Sequence, residues 1–229
     1  ITYYISSPQI DFDVIDPLCF GDSNGAITSI ITDAQPPISY SWSGPGSFDP
    51  AAENLVNIPA GIYNLTITDA NGCMDMDSVE VLNPPLLLTS IDSVKNVSCY
   101  GYNDGTIFSS ATGGTGPLSY EWTSLSGNTA TGDSIYNLPA DTYYLTVTDS
   151  NLCQAFDTVI VTEPEPLIAL IDNFFDVTCY GYNNGAAHVT VTDGTGPYSY
   201  SWNSIPAQDS VWAIELGPGE YIATITDFK

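Results

Sequence analysis

The chain has no arginine, two lysines (Lys95 and Lys229) and one histidine, set against 27 acidic residues in 229. That shortage of positive charge excludes a nucleic-acid partner, because holding a phosphate backbone takes clustered basic side chains that displace counterions. Attraction to an anionic bilayer surface is excluded on the same ground. Long hydrophobic runs are missing as well: no segment approaches the roughly 20 apolar residues that span a bilayer. Direct membrane insertion is therefore not expected, and residues 1–5 do not read as a basic and apolar leader. No window has helical periodicity. The single imidazole, His188, lies in a strand-like run with no serine or cysteine nucleophile placed beside it, so nucleophilic triads have no footing. A pair of carboxylates, as a glycosidase uses, carries no specificity among 27 acids. The expectation is a protein that is not an enzyme.

What is present is a chain that can fold. It is 43% hydrophobic and 12% aromatic, with 15 tyrosines and four tryptophans, which separates it from disordered acidic sequences. A net charge of −25 suits a crowded, soluble, self-repelling surface polymer whose repulsion salt or divalent cations would relieve. The sequence also repeats every 80 residues. Cys19-Phe20-Gly21 with Asn24-Gly25 returns as Cys99-Tyr100-Gly101 with Asp104-Gly105, and again as Cys179-Tyr180-Gly181 with Asn184-Gly185. Tyr40-Ser41-Trp42 returns at Tyr120 and Tyr200, and Thr68-Asp69-Ala70-Asn71-Gly72-Cys73 returns as Thr148-Asp149-Ser150-Asn151-Leu152-Cys153. Solenoid units are shorter, whereas about 80 residues can close a small core alone.

Within a copy, short alternating runs separated by turn residues predict an antiparallel sandwich. Strands are expected at 25–32, 38–42, 63–68 and 78–81. The fold class that follows is all-β: tandem immunoglobulin-like or fibronectin-like β-sandwich repeats of about 80 residues, drawn out as a rod. Trp42, Trp122 and Trp202 fall on the third strand and read as core rather than as a ligand platform. Tyr63, Tyr143 and Tyr221 open the sixth strand after Pro/Gly turns, in the pattern of a tyrosine corner. Proline-rich joins at Asn83-Pro84-Pro85 and Glu163-Pro164-Glu165-Pro166 set the boundaries. They give the tail of a preceding repeat over 1–8 and repeats over 9–84, 85–165 and 166–229. The third is expected to stop just short of its second cysteine, as an internal piece of a longer protein would.

These motifs together, Cys-x-Gly-x-x-(Asn/Asp)-Gly, then Pro-x-x-Tyr-x-Trp, then Tyr-x-x-Thr-(Ile/Val)-Thr-Asp-x-Asn-x-Cys, resemble the SprB-type repeat of Bacteroidota surface proteins. Asp33-Ala34-Gln35-Pro36-Pro37 departs from the glycine pair that Gly113-Gly114 supplies in the second copy. The resemblance implies a long cell-surface adhesin, attached at the outer membrane, exported by the type IX secretion route and, in gliding members, carried by the motility machinery. Its implied partners are neighbouring repeats, surface polysaccharide and other cell-surface or motility proteins. A rival expectation makes these units spacers in a surface protein that binds or degrades carbohydrate.

Five cysteines at repeating positions point to disulfides and an extracellular setting. Two connectivities are open. Pairing within a repeat joins Cys19 with Cys73 and Cys99 with Cys153; pairing between repeats joins Cys19 with Cys153. In a sandwich Cys19 and Cys73 stand at opposite ends of strands about 25 Å long, while disulfide-linked Cα atoms lie within roughly 7 Å. Geometry therefore favours the inter-repeat staple. Asp69-Ala70-Asn71-Gly72 and its copy read as Asx hairpin turns before they read as calcium loops. Calcium candidates remain at Glu163, Glu165 and Asp172, and no other cofactor is expected. Asp-(Ser/Thr)-apolar triplets resemble the O-glycosylation signal of Bacteroidota and imply glycans on Ser78, Ser93, Ser134, Thr158 and Ser210. An ordinary Asp- and Ser-rich strand edge accounts for the same triplets. Tyr100, Tyr102, Tyr180 and Tyr182 flank the Cys-x-Gly loops; packing between units is preferred for them over stacking on sugars.

Overall fold

A computed structural model describes residues 7–228. The expected tail over 1–8 lies outside the described residues except for Ser7 and Pro8. All regular structure among the described residues is strand. The first copy holds β1 (Gln9–Ile15), β2 (Gly25–Thr32), β3 (Ser39–Ser43), β4 (Leu55–Ile58), β5 (Gly61–Thr68) and β6 (Met74–Val81). These form two three-stranded sheets, in the orders β1-β2-β4 and β3-β5-β6. The second copy holds β7 (Leu88–Lys95), β8 (Gly105–Thr112), β9 (Ser119–Ser124), β10 (Thr129–Thr131), β11 (Ser134–Leu138), β12 (Asp141–Thr148) and β13 (Gln154–Val161). Its sheets run β11-β8-β7 and β10-β9-β12-β13. In the third copy, β14 (Ile168–Phe175), β15 (Gly185–Thr192) and β17 (Trp212–Leu216) form one sheet, while β16 (Ser199–Trp202) pairs with β18 (Ala223–Thr226).

Each copy thus separates its first two strands, and the one that precedes the tyrosine, from the hairpin-linked remainder, the strand division of a fibronectin- or immunoglobulin-like sandwich. Strand alternation drives it. On β5, Tyr63, Leu65 and Ile67 are fully buried, while Asn64, Thr66 and Thr68 face the other way. The first core joins Ile27, Trp42, Leu55, Ile58, Tyr63, Leu65, Ile67 and Val81. The third joins Val189, Trp202, Ala213 and Leu216.

By compactness the chain divides into two units. One comprises Ile1–Ser90, Ser110–Glu121 and Leu145–Asp157; the other comprises Ile91–Ser109, Trp122–Tyr144 and Thr158–Lys229. The division runs through the second copy. The first unit therefore contains the whole first copy together with the Asp149–Cys153 hairpin that follows β12.

The structure differs from the sequence expectations at two points. The strands expected at 63–68 and 78–81 extend over Gly61–Thr68 and Met74–Val81, because the two pair along their whole length, from Gly61 opposite Val81 to Thr68 opposite Met74. The tyrosine strand is sixth in the second copy but fifth in the first, since the short strand β10 has no counterpart among the described strands there, and in the third copy Tyr221 lies just before β18, the fifth strand, and not within it. The tyrosine hydroxyls all reach back four residues. Tyr63 donates to the Pro59 carbonyl at 2.8 Å, Tyr143 to Pro139 at 3.0 Å and Tyr221 to Gly217 at 3.1 Å. Each tryptophan indole is likewise satisfied: Trp42 donates to Ala52, Trp122 to Gly132 and Trp202 to Ser210. Of these six side chains Trp42, Trp122, Trp202, Tyr63 and Tyr143 are buried, and Tyr221 is half-buried against the third core.

Candidate functional site at the repeat junction

The Cys-x-Gly-x-x-(Asn/Asp)-Gly motif builds one loop three times, between the first two strands of each copy. A tight turn forms as Asp22, Tyr102 and Tyr182 donate their N–H groups to the carbonyls of Cys19, Cys99 and Cys179, all at 3.1 Å. The turn drives Gly21, Gly101 and Gly181 to φ of 82°, 74° and 80°, a region that glycine enters without a Cβ penalty. The Asn/Asp of the motif then ties the loop across its base. Leu18 donates to Asn24 Oδ1 at 3.0 Å, Ser98 to Asp104 Oδ1 at 2.8 Å and Thr178 to Asn184 Oδ1 at 3.0 Å. In the second copy, Lys95 Nζ adds an ion pair to Asp104 at 3.0 Å. The Ser98 amide and then Lys95 hold the Asp104 carboxyl down at about 2.

The opposite end of the sandwich carries the second cysteine motif. Asp69 Oδ1 accepts from the N–H groups of Asn71 at 2.9 Å and Cys73 at 2.8 Å, and Asp149 Oδ1 accepts from Asn151 and Cys153 at 2.9 Å each. The other carboxylate oxygen of Asp149 accepts from Thr115 at 2.8 Å. Burial pushes both carboxyls upward, but these backbone donors outweigh it and hold them below the ordinary range. Through these bonds the two aspartates organise the hairpin turns that carry Cys73 and Cys153.

The loop and the hairpin meet inside the first unit. Cys19, in the first-copy loop, is disulfide-bonded to Cys153, in the second-copy hairpin, with Cα atoms 5.6 Å apart and 134 residues between them in sequence. Asn151 Nδ2 donates to the Leu18 carbonyl at 3.0 Å beside the bond. The Pro84–Pro85 join is fixed in place as Gly114 donates to the Pro85 carbonyl at 3.0 Å. A small cleft of about 110 Å³ lies here, lined among others by Phe20, Pro85, Leu87 and Cys153. Cys73, Cys99 and Cys179 are free thiols. The alternative of Cys19 with Cys73 and Cys99 with Cys153 is not the arrangement found, for the reason that the loop and the hairpin of one copy cap opposite ends of its strands.

The other candidate residues do not converge on a site. Glu163 Oε2 accepts from the Gly101 N–H at 2.7 Å, and the backbone carbonyl of Glu165 accepts from Gly194. Asp172 binds Thr190 Oγ1 and His188 Nδ1, both at 2.6 Å, and Thr190 first, then His188, lowers its pKa. The carboxylates of Glu163 and Asp172 thus serve separate local contacts, and Glu165 is engaged through its backbone carbonyl. Among the described residues no group of three or more His, Cys, Asp or Glu side chains could hold a metal ion. Ser78 on β6, Ser93 on β7, Thr158 on β13 and Ser210 are exposed, while Ser134, at the start of β11, is half-buried and donates to Asp133. Tyr100, Tyr102, Tyr180 and Tyr182 are all exposed.

Sequence reasoning also missed a set of polar ties at the same end. Gly21 N–H donates to Asn83 Oδ1 at 3.1 Å, as Gly101 does to Glu163, and Leu82 donates to Asp16 Oδ1 at 2.7 Å, as Thr162 does to Asn96 at 3.0 Å. The signal was available: acceptor side chains recur 80 residues apart at 83 and 163 and at 16 and 96.

Among the described residues no helix is long and apolar enough to cross a membrane. The SprB repeat family model matches the chain at residues 12–47, 91–127 and 172–206. No curated protein matches. Solved structures with similarity include the N-terminal eight immunoglobulin domains of Down syndrome cell adhesion molecule, at 16% identity, 98% of this chain, 31% of that chain and a TM-score of 0.46. A C-terminal fragment of intimin in complex with its translocated receptor gives 13% identity, 70% of this chain, 66% of that chain and 0.33. A tetra-tandem repeat from the extending region of a large adhesion protein gives 11%, 96%, 66% and 0.27. All these scores fall below one half, so the fold rests on the strand order described above.

Proposed function

From the premise that this chain is a SprB-repeat protein, we propose that it is a non-enzymatic stalk segment of a long extracellular adhesin at the bacterial cell surface. It acts through length, stiffness and repeated display, and a target is engaged elsewhere in the longer protein or weakly by many repeats through avidity. Gliding motility, type IX export and outer-membrane attachment belong to this reading as what the family implies.

The observation that carries it is the bond from Cys19 to Cys153. A disulfide inside a unit stabilises that unit alone, whereas one linking consecutive copies restrains the angle between them. Such a restraint is of use only where reach and direction matter. The dense acidity, with two lysines in 229 residues, keeps many such units apart in a crowded surface layer. The candidate glycans on Ser78, Ser93 and Thr158 would lie on exposed strand positions, with that on Ser210 in the exposed bend before β17, and would serve the same end.

Small-angle scattering, with and without reductant, tests the proposal. An elongated particle whose maximum dimension becomes more variable on reduction is expected. A particle indifferent to reductant would overturn the stapled stalk. The exposed tyrosines at Tyr100, Tyr102, Tyr180 and Tyr182 favour one second reading, a sugar-stacking face. Binding on a glycan array that is lost in a Tyr180→Ala, Tyr182→Ala variant would select it.

A further inference from the structure

The second copy has a cleft of about 470 Å³ beside its tyrosine corner, within the range of about 300 to 1,000 Å³ that small-molecule sites occupy. Its walls include Asn103 from the Cys-x-Gly loop, Asn128 and Thr129 where β10 begins, Asn137 on β11, and the rings of Tyr136 and Tyr143. No charged side chain lines it. Among the described residues the side-chain amides of Asn103, Asn128 and Asn137 make no hydrogen bond, so three amides stand unspent around one opening. We propose that this cleft binds a neutral sugar residue, whose hydroxyl groups bond the amides while its C–H face lies on a tyrosine ring.

The first copy shows what fills the same place. Eighty residues before Asn128 stands Phe48, half-buried, its ring centroid 5.8 Å from that of Tyr63. The loop that carries Phe48 lies down on the corner: a Cβ on Gly46 would meet Pro59 Cδ at 2.8 Å, whereas one on Gly127 of the second copy would meet nothing within 4 Å. With Asn128 in place of Phe48, the second copy lacks that ring, and the tyrosine wall stays open. Two further features shape the wall. β11 shifts register between Tyr136 and Leu138, and the bulged residue, Asn137, takes φ of 57° and lines the cleft. Tyr136 is 55% exposed and held edge-on against Phe108, centroids 5.7 Å apart, so its ring is oriented before a ligand arrives.

The lining selects the ligand class. An ion of either sign would need a countercharge, and the cleft supplies none. A wholly apolar ligand would cover the three amides without bonding them. Each amide both donates and accepts, as a sugar hydroxyl does, and an aromatic ring takes an apolar ring face. The third copy repeats the cleft at about 590 Å³, with Asn183, Leu216 and Tyr221 in the places of Asn103, Leu138 and Tyr143, but Glu215 stands where Asn137 does. The uncharged site is therefore the one in the second copy. It uses neither the cysteines nor the exposed loop tyrosines, so its failure would leave the stalk reading standing.

The test uses the whole 229-residue protein, oxidised and labelled with nitrogen-15, titrated with the methyl glycosides of glucose, galactose, mannose and N-acetylglucosamine. With at least one of them the amide resonances of Asn128 and Asn137 should shift saturably, at a dissociation constant on the order of 1 mM, the strength a single sugar ring reaches at ordinary ligand efficiency. Asn128→Phe installs the ring of the first copy; it should weaken binding at least about tenfold while the melting temperature stays within about 2 °C of the parent's or rises. Asn137→Gly keeps the positive φ and removes only the amide, so it should fold as the parent does and bind about fivefold more weakly, the value of one hydrogen bond. A Tyr180→Ala, Tyr182→Ala variant should bind like the parent. No saturation with any of the four glycosides by about 50 mM, shifts that map to the loop tyrosines instead, or undiminished binding by a folded Asn128→Phe or Asn137→Gly variant would each overturn the proposal.

Discussion

Removing the staple should cost the first unit more than any surface change in the chain. In the chain-entropy relation, a loop closed over the 134 residues between Cys19 and Cys153 is worth about 5 kcal/mol. Because the dependence on loop length is logarithmic, the value hardly changes if the first copy unfolds alone: halving the loop lowers it by only about 0.6 kcal/mol. The figure assumes that the reduced native state is as well ordered as the oxidised one. Two contacts support that assumption, Asn151 Nδ2 to the Leu18 carbonyl and Gly114 N–H to the Pro85 carbonyl, both at 3.0 Å and both independent of the bond. For a unit of this size, the entropy term corresponds to a fall in Tm of about 20 °C. The assay is differential scanning calorimetry of a Cys19→Ser, Cys153→Ser double variant, with Cys99→Ser as the control that leaves the bond intact. The transition of the first unit should move while that of the second holds its place. A double variant melting within about 2 °C of the parent would refute the reasoning, because the loop closed by the bond would then carry no measurable restraint on the unfolded chain.

Three further outcomes follow from the packing and the charges. Gly105→Ala places a Cβ 2.8 Å from both the Leu138 carbonyl oxygen and Val161 Cγ1, so β8 and β11 must separate; a loss of about 1 to 3 kcal/mol in urea unfolding is expected, and a neutral variant would contradict that close approach. Tyr63→Phe removes a fully buried hydroxyl that donates to the Pro59 carbonyl and also lies 3.1 Å from that of Pro45, and it should cost about 1 to 2 kcal/mol by the same measurement. The acid limb of stability is set by aspartates whose pKa is lower in the folded chain: Asp104, held at about 2 by Ser98 N–H and Lys95, and Asp141, held at about 2 chiefly by Ser126 N–H. A carboxylate of this kind contributes its full stability above its unfolded value, near pH 4, and loses it as pH falls through the folded value. Melting temperature should therefore drop between about pH 4 and 2, and Asp104→Asn should remove part of that drop; a Tm that is flat across that window would count against it.

Much of this was legible in the sequence, because the features that recur at 80-residue spacing are the ones with backbone consequences. Apolar alternation gave β2 its bounds, Gly25 to Thr32, and placed Trp42, Trp122 and Trp202 in cores. The Cys-x-Gly-x-x-Asn-Gly string is readable because each residue has one local role. The cysteine carbonyl accepts the turn bond, the glycine takes positive φ, and the Asn ties the base. Strand ends were harder to read. β6 begins with Met74-Asp75-Met76-Asp77, where burial on one side is slight and the polar signal resembles a loop. The exposed loop tyrosines could not be assigned from sequence, since an aromatic beside a turn is chemically suited to either packing or solvent.

The connectivity was decided by a different kind of information. Cysteine spacing alone permits pairing within a copy as readily as between copies, since both Cys19 and Cys73 recur at the same interval. Topology separates the two, because a loop after the first strand and a hairpin before the last occupy opposite poles of a sandwich whose strands run about eight residues. The same polarity accounts for the uneven distribution of side-chain acceptors. Asp16, Asn24 and Asn83 all tie backbone groups at the pole of the Cys19 loop, whereas Asp69 alone organises the pole of Cys73. Asp69 nonetheless makes three bonds there, accepting from the N–H groups of Gln35, Asn71 and Cys73, and Ala70 N–H donates to the Gln35 carbonyl beside it, so each pole is tied to a neighbouring loop or strand end. In the Cys19–Cys153 junction the loop pole of the first copy meets the hairpin pole of the second, so the bond joins two ends whose backbone is already fixed by side-chain acceptors, and that polarity is what pairing by cysteine spacing alone leaves undecided.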